Sequence, residues 1–138
     1  MPPVQALGLH LSDYDGERLT ISAPIAANHN DKNNAFGGSL ASAATLAAWA
    51  LCSMKLLEAG FDADVYVQDT MIRYLAPLYD DLHAVACLAE GQTWDSFLAA
   101  FASKQRARAT LVVQMLDGDG NTSCTLEGRF VAKARSKT

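Results

Sequence analysis

The stretch 37-GGSLASAATLAAWALCSMKLLEAG-60 decides how the rest of the chain is read. From about Gly38 to Ala59 every helical face is apolar or small, and only the last turn, with Lys55 and Glu58, carries charge. A helix without a polar face must be surrounded by protein. The apolar run from Leu40 to Met54 is broken by Ser42, Thr45 and Ser53 and falls short of the roughly 20 residues that span a bilayer, so it predicts a buried core helix and no membrane segment. Gly60 stands where helices commonly stop.

Beyond the helix the apolar period changes from that of a helix to the alternation of strands. Residues 63-ADVYVQDTMIRYLAP-77 and 82-LHAVACLAE-90 predict two strands, the first closed by Pro77. In the second, Leu82, Ala84, Ala86 and Leu88 share one face, while His83, Val85 and Cys87 share the other. Residues 93-TWDSFLAAF-101 predict a short helical or irregular excursion. Two more strands, 105-QRARATLVVQML-116 and 121-NTSCTLEGRFVAKA-134, flank 117-DGDG-120, a hairpin turn because Asp-Gly pairs tolerate positive φ. On the other side of the helix, Arg18 to Ala26 predicts a first strand after the turn-like 12-SDYDGE-17. The order is strand, helix, four strands mostly joined as meanders. It specifies an α+β domain in which a curved antiparallel sheet of about five strands wraps one long central helix. A sheet grips one side of such a helix, and a homo-oligomer is expected to cover the other.

With 138 residues, half of them apolar and 19% charged, the chain is expected to form one domain over residues 1–138. Its start, MPPVQALGLH, has neither a basic leader nor a long apolar core, which points to a cytoplasmic protein without a membrane partner. Cys52, Cys87 and Cys124 are odd in number and lie among apolar residues, so they are expected to be reduced thiols and not a metal site. The net charge of −4 argues against nucleic acid as a partner. It hides an asymmetry, because residues 104–138 hold seven Lys/Arg against three Asp/Glu. Within that segment Arg106 and Arg108 share a strand face, suited either to an anionic ligand or to a solvated edge.

The segment 28-NHNDKNNAFGGS-39 concentrates polar groups against a glycine pair at the helix start. The first amides of a helix lack intrahelical partners and carry the positive end of its dipole. The amides near Gly37, Gly38 and Ser39 therefore suit a developing oxyanion. Candidate carboxylates are Asp31 in this loop and Asp69 in the following strand. Asp69 is read on a face with Val65, Val67, Met71 and Arg73, either as a base or as the partner of Arg73. Asn30 could orient a water or carbonyl, or simply stabilise the loop. Lys32 could meet a phosphate or solvent, and Phe36, Trp49, Met71 and Tyr74 could line a pocket or the core. His29 is the histidine beside this segment and a possible general base.

These residues resemble the hotdog-fold thioesterases, and most closely the thioesterase-like domains that also occur fused behind an acetyltransferase domain. One family motif, N-x-N-D-K-x-x-A-F-G-G-S, is matched by Asn28, Asn30, Asp31, Lys32, Ala35, Phe36, Gly37, Gly38 and Ser39. A second, Q-D-x-x-I-R-Y-L-x-P, is matched by Gln68, Asp69, Ile72, Arg73, Tyr74, Leu75 and Pro77. The related pattern N-x-x-G-x-x-H-G-G has Asn33 here in place of glycine and Phe36 in place of histidine. Its helix carboxylate falls on Thr45.

The resemblance implies a hotdog fold and hydrolysis of an acyl thioester carried by coenzyme A or an acyl-carrier protein. Coenzyme A or phosphopantetheine then enters as part of the substrate and not as a cofactor. It also implies a homodimer or dimer of dimers. In that reading Gly37 and Gly38 polarise the carbonyl, Asp69 or Asp31 activates water, and Asn30 and Thr45 position the reactants. Phe36, Ser39, Lys32, Arg73, Arg106 and Arg108 contact the substrate. The alternatives are a non-catalytic acyl-thioester sensor, favoured by Thr45, and an enoyl-thioester hydratase using His29.

Overall fold

The computed structural model describes residues 1–135. Its centre is the helix that the apolar stretch predicts, here α2 (Gly37–Glu58); a short α1 (Pro2–Leu7) and α3 (Trp94–Lys104) lie to either side in sequence. The strands are β1 (His10–Tyr14), β2 (Leu19–Ala23), β3 (Ala63–Tyr74), β4 (Leu82–Leu88), β5 (Arg106–Leu116) and β6 (Thr122–Ala134). They form one antiparallel sheet in the order β1-β2-β4-β5-β6-β3. This is the hotdog architecture, a curved sheet around a long helix.

At 22 residues α2 is long and apolar enough to cross a bilayer, so its length does not exclude a span. What identifies it as core is packing. Leu40, Ala43, Ala44, Ala47, Ala48 and Leu51 are buried, and all six lie on the stripe facing the sheet. Alanine dominates that stripe, which lets the backbone lie close to β2, β4 and β5. The opposite face, including Ser42, Thr45, Leu46 and Trp49, stays partly exposed.

The structure corrects three expectations. There are six strands and not five, because β1 pairs with β2 inside what reads as a turn; its residues are almost all exposed and give no alternation. The turn shrinks to Asp15–Glu17, where the Asp15 carboxylate accepts from the amides of Glu17 and Arg18 at 2.9 and 2.7 Å. The strands after α2 are not a simple meander, since β3 crosses to the far edge beside β6 while β4 lies beside β2. The crossover between β3 and β4 carries Leu78, which is 1% exposed and plugs the core. Residues 94–104 form a regular helix capped by Thr93, whose hydroxyl accepts from the Ser96 amide at 3.1 Å. This helix starts one residue later and runs three residues further than the excursion read from the sequence, and Lys104 belongs to its last turn.

Candidate functional site

The loop 28–36 is folded back on itself by a short list of hydrogen bonds. Asn28 is 2% exposed; its Nδ2 donates to the carbonyls of Leu7 and Pro24 at 2.8 and 2.7 Å, and its own carbonyl accepts from the Phe36 amide at 2.7 Å. The Ala35 amide donates to the Leu78 carbonyl at 2.7 Å, so the crossover between β3 and β4 holds the loop against the fold. Asn33 adopts φ 63, the left-handed geometry expected where relatives carry glycine. Asn30 is engaged in the loop: its amide nitrogen donates one hydrogen to Asn34 Oδ1 at 2.6 Å, and its Oδ1 accepts from the amides of Lys32 and Asn34. Asn30 therefore shapes the loop and keeps its second N–H as the one side-chain donor for a reactant. His29 is exposed and shares a contact with the carbonyl of Asn30.

The loop delivers Phe36 as the N-cap of α2. The amides of Ser39 and Leu40 both donate to the Phe36 carbonyl, at 2.9 and 3.0 Å. The Ser39 amide is thus spent, and its side chain is largely buried. Gly37 and Gly38 are the first two residues of the helix, whose amides have no intrahelical carbonyl to reach. A Cβ on Gly38 would sit 2.5 Å from the Phe36 ring, so the ring lies directly over that glycine. The Tyr74 hydroxyl donates to the Gly37 carbonyl at 3.3 Å, with its ring against Gly37. The two motifs meet here: the glycine pair from the loop and Tyr74 from the end of β3.

One turn along α2 the partly exposed face opens on a cavity of about 420 Å³. Ala41, Ser42, Thr45, Leu46 and Trp49 form one wall, and α1 stands opposite. Its polar groups on α2 are the hydroxyls of Ser42 and Thr45. Sequence reading found Thr45 but missed Ser42 and α1. The signals were present, in a hydroxyl four residues after Gly38 and in prolines at the first turn of an apolar PPVQAL segment.

The structure places the remaining candidates elsewhere. A bulge in β3 between Val67 and Asp69 breaks the face that alternation assigned to Asp69. Val67 pairs with buried Phe130, whereas Asp69 pairs with exposed Arg129 on the outer face of the sheet. Its ion-pair partner is Arg129 and not Arg73: Arg129 Nε donates to Asp69 Oδ1 at 2.8 Å, and Nη2 donates to Oδ2. Hydrogen bonds from Arg129 hold the Asp69 carboxyl below its usual range, which makes it a poorer base. Arg73 is exposed on the same outer face.

Asp31 is exposed at the loop tip and pairs with its neighbour Lys32 at 3.1 Å. Arg106 and Arg108 are exposed on the outer face of β5, in register with Lys133 and Val131 of β6. Arg135 is not free, being paired with Asp62 and Asp64.

Comparison with known proteins agrees with this fold. The profile of a family described as "Putative thioesterase (yiiD_Cterm)" matches residues 1–134. A crystal structure of a protein of unknown function from Chlorobaculum tepidum superposes with a TM-score of 0.90 at 28% identity, covering 98% of this chain and 88% of the other. A structure titled a putative thioesterase from Shewanella oneidensis gives 0.87 at 24% identity, covering 96% and 89%. A thioesterase from Haemophilus influenzae shares the fold at 0.75 with 13% identity, covering 96% and 82%.

Proposed function

From the premise that this chain belongs to the thioesterase family whose profile spans residues 1–134, we propose that it hydrolyses acyl thioesters of coenzyme A or an acyl-carrier protein as a homodimer. One observation carries the reading. The start of a 22-residue helix presents two glycine amides to solvent, and one turn further the same helix face borders an apolar cavity. Such amides cost no reorganisation when negative charge develops on a thioester oxygen, and glycine lets the carbonyl approach closely. Tyr74, donating to the Gly37 carbonyl, keeps that peptide plane oriented. Ser42 and Thr45 are positioned to orient a water, although neither hydroxyl can deprotonate one at neutral pH.

We assign the base to Asp31, which lies at the loop tip outside the cavity wall of its own copy and acts where the partner copy completes the site. Its carboxylate is open to solvent with only Lys32 beside it, whereas Asp69 is neutralised by Arg129 on the other side of the sheet. Arg106 and Arg108 supply charge for the phosphates of the carrier. The dimer forms through β3, an edge strand of 12 residues whose Tyr66, Val67 and Met71 are all about half exposed.

Release of free thiol from an acyl-CoA panel tests the reading. Wild-type protein turns over, Asp31→Asn loses about 100-fold or more in kcat, as expected for loss of a general base, and Asp69→Asn keeps most of it. A second reading, an acyl-thioester binding module, is favoured by the absence of a carboxylate from the described cavity walls. Saturable binding of every thioester without turnover would select it over hydrolysis.

A further inference from the structure

The cavity beside α2 has a roof that the catalytic reading does not use. In α1, a helix of six residues, no side chain is buried, yet Met1, Pro3, Val4 and Leu7 turn toward the cavity. The helix is anchored at its end, where the Leu7 carbonyl accepts from buried Asn28 and Gly8 turns the chain at φ 69, at a point where a side chain would crowd the ring of Pro24. Protein interiors close-pack and leave few voids larger than a water. The opening of about 420 Å³ between α1 and α2 is a groove open to solvent, lined mainly by apolar side chains, and such concave apolar surface suits an apolar ligand.

Its dimensions along α2 can be read from the wall. The lining begins at Ala41 and Ser42, one turn from Gly38, and ends at Trp49, beyond which α2 contributes nothing. Eight residues of helix rise about 12 Å. The Trp49 Nε1 donates to the Val65 carbonyl at 2.9 Å, which turns the polar atom into β3 and fixes the ring. Buried Phe130 lies in the floor.

We propose that this cavity takes an unbranched acyl chain of about eight to ten carbons, that α1 is its roof, and that Trp49 is the stop that sets chain length. This rests on the thioester reading of the Gly37–Gly38 amides. The chain-length figure follows from the 12 Å of wall, since an extended alkyl chain with carbon–carbon bonds of about 1.5 Å advances about 1.3 Å per carbon. Continuity decides the occupant: a head group at the glycine amides leaves its tail pointing along the wall that starts one turn away. The described wall has no charged side chain and is mostly apolar, which favours an apolar tail.

Calorimetric titration with straight-chain alkanoates from six to fourteen carbons tests this apart from turnover, because a carboxylate also suits a helix N-terminus. In the wild type, Kd falls about four-fold per added methylene, the factor expected for burying each one. The gain stops near ten carbons. Trp49→Ala moves the break at least two carbons longer, Leu46→Trp moves it shorter, and Val4→Asp weakens decanoate at least ten-fold. The proposal is overturned if affinity ignores length, if the break stays put in both wall variants, or if no alkanoate binds and the variants instead dissociate an oligomer, in which case a second copy fills the space. A length-dependent ladder without thioester turnover would leave the cavity assigned and remove the hydrolase. Turnover blind to chain length would do the reverse.

Discussion

At the scale of single residues, Gly38 and Gly37 look equivalent in sequence and are not equivalent in space. A methyl group on Gly38 meets the Phe36 ring at 2.5 Å, whereas one on Gly37 meets Tyr74 at an ordinary 3.6 Å. Gly38→Ala therefore pushes Phe36 off the helix start, and kcat/KM is expected to fall about ten-fold or more, as oxyanion-site disturbances do. Gly37→Ala stays near wild type. Combining Gly38→Ala with Phe36→Ala removes the clash, so the double variant should recover part of the loss, a non-additivity that thiol-release kinetics measures directly. The cysteines separate in the same way. Burial raises the Cys52 thiol to about 12 and pushes Cys124 up as well. Cys87 is half buried on the outer face and should react first. Brief treatment of the native protein with iodoacetamide followed by peptide mass mapping is expected to find label at Cys87 before the other two.

At the scale of elements, β3 and β6 are joined by the Asp69–Arg129 pair immediately beyond the bulge. The folded-state pKa of Asp69 lies below its unfolded value. The stability it contributes is therefore present above the unfolded pKa, about 3.9, and lost as pH falls through the folded one. Thermal melts should show an acid decline below about pH 4 that is shallower in Arg129→Met. Because both side chains are half exposed, the difference in melting temperature should be small.

This bulge also marks where sequence reading stopped working. Alternation runs cleanly over Val65 and Val67, and one extra residue then reverses the face of everything after it, with no composition signal to announce it. The helix, β4 and the β5–β6 hairpin were legible because their periods are long and uninterrupted. Of the two edge strands, β1 was missed because it is exposed on nearly every residue, whereas β3 was legible as a strand but not in its place, which it reaches by a crossover that local pattern does not encode. In the site, the motifs located the helix start and its left-handed Asn33, but the engagement of the Ser39 amide and the Asn30 side chain in loop hydrogen bonds depends on cap geometry that residue types leave open.

At the scale of the whole molecule, β3 offers its unpaired edge over 12 residues, about 36 Å of strand. In the proposed homodimer a second copy would pair antiparallel about a two-fold axis near the bulge and close both edges at once. That symmetry has a chemical consequence. Within one copy the Gly37–Gly38 amides lie beside Tyr74 at the end of β3, whereas Arg106 is in register with Lys133 and Asp64 at its beginning. An antiparallel pair would set the end of one β3 beside the beginning of the other, so each helix start would lie nearest the partner's half of the sheet, whose Arg106 and Arg108 face outward. Mixing then distinguishes the arrangement from one in which each copy works alone. Gly38→Val and the double variant Arg106→Glu/Arg108→Glu should each be nearly inactive toward acyl-CoA. Co-refolded in equal amounts, they form hybrid dimers in which one of the two sites has both its glycine and its arginines intact. Half of the dimers are hybrids with one good site each, so about a quarter of wild-type activity should return. Arginines serving their own copy would restore none, because every site in the hybrid would then carry one of the two lesions.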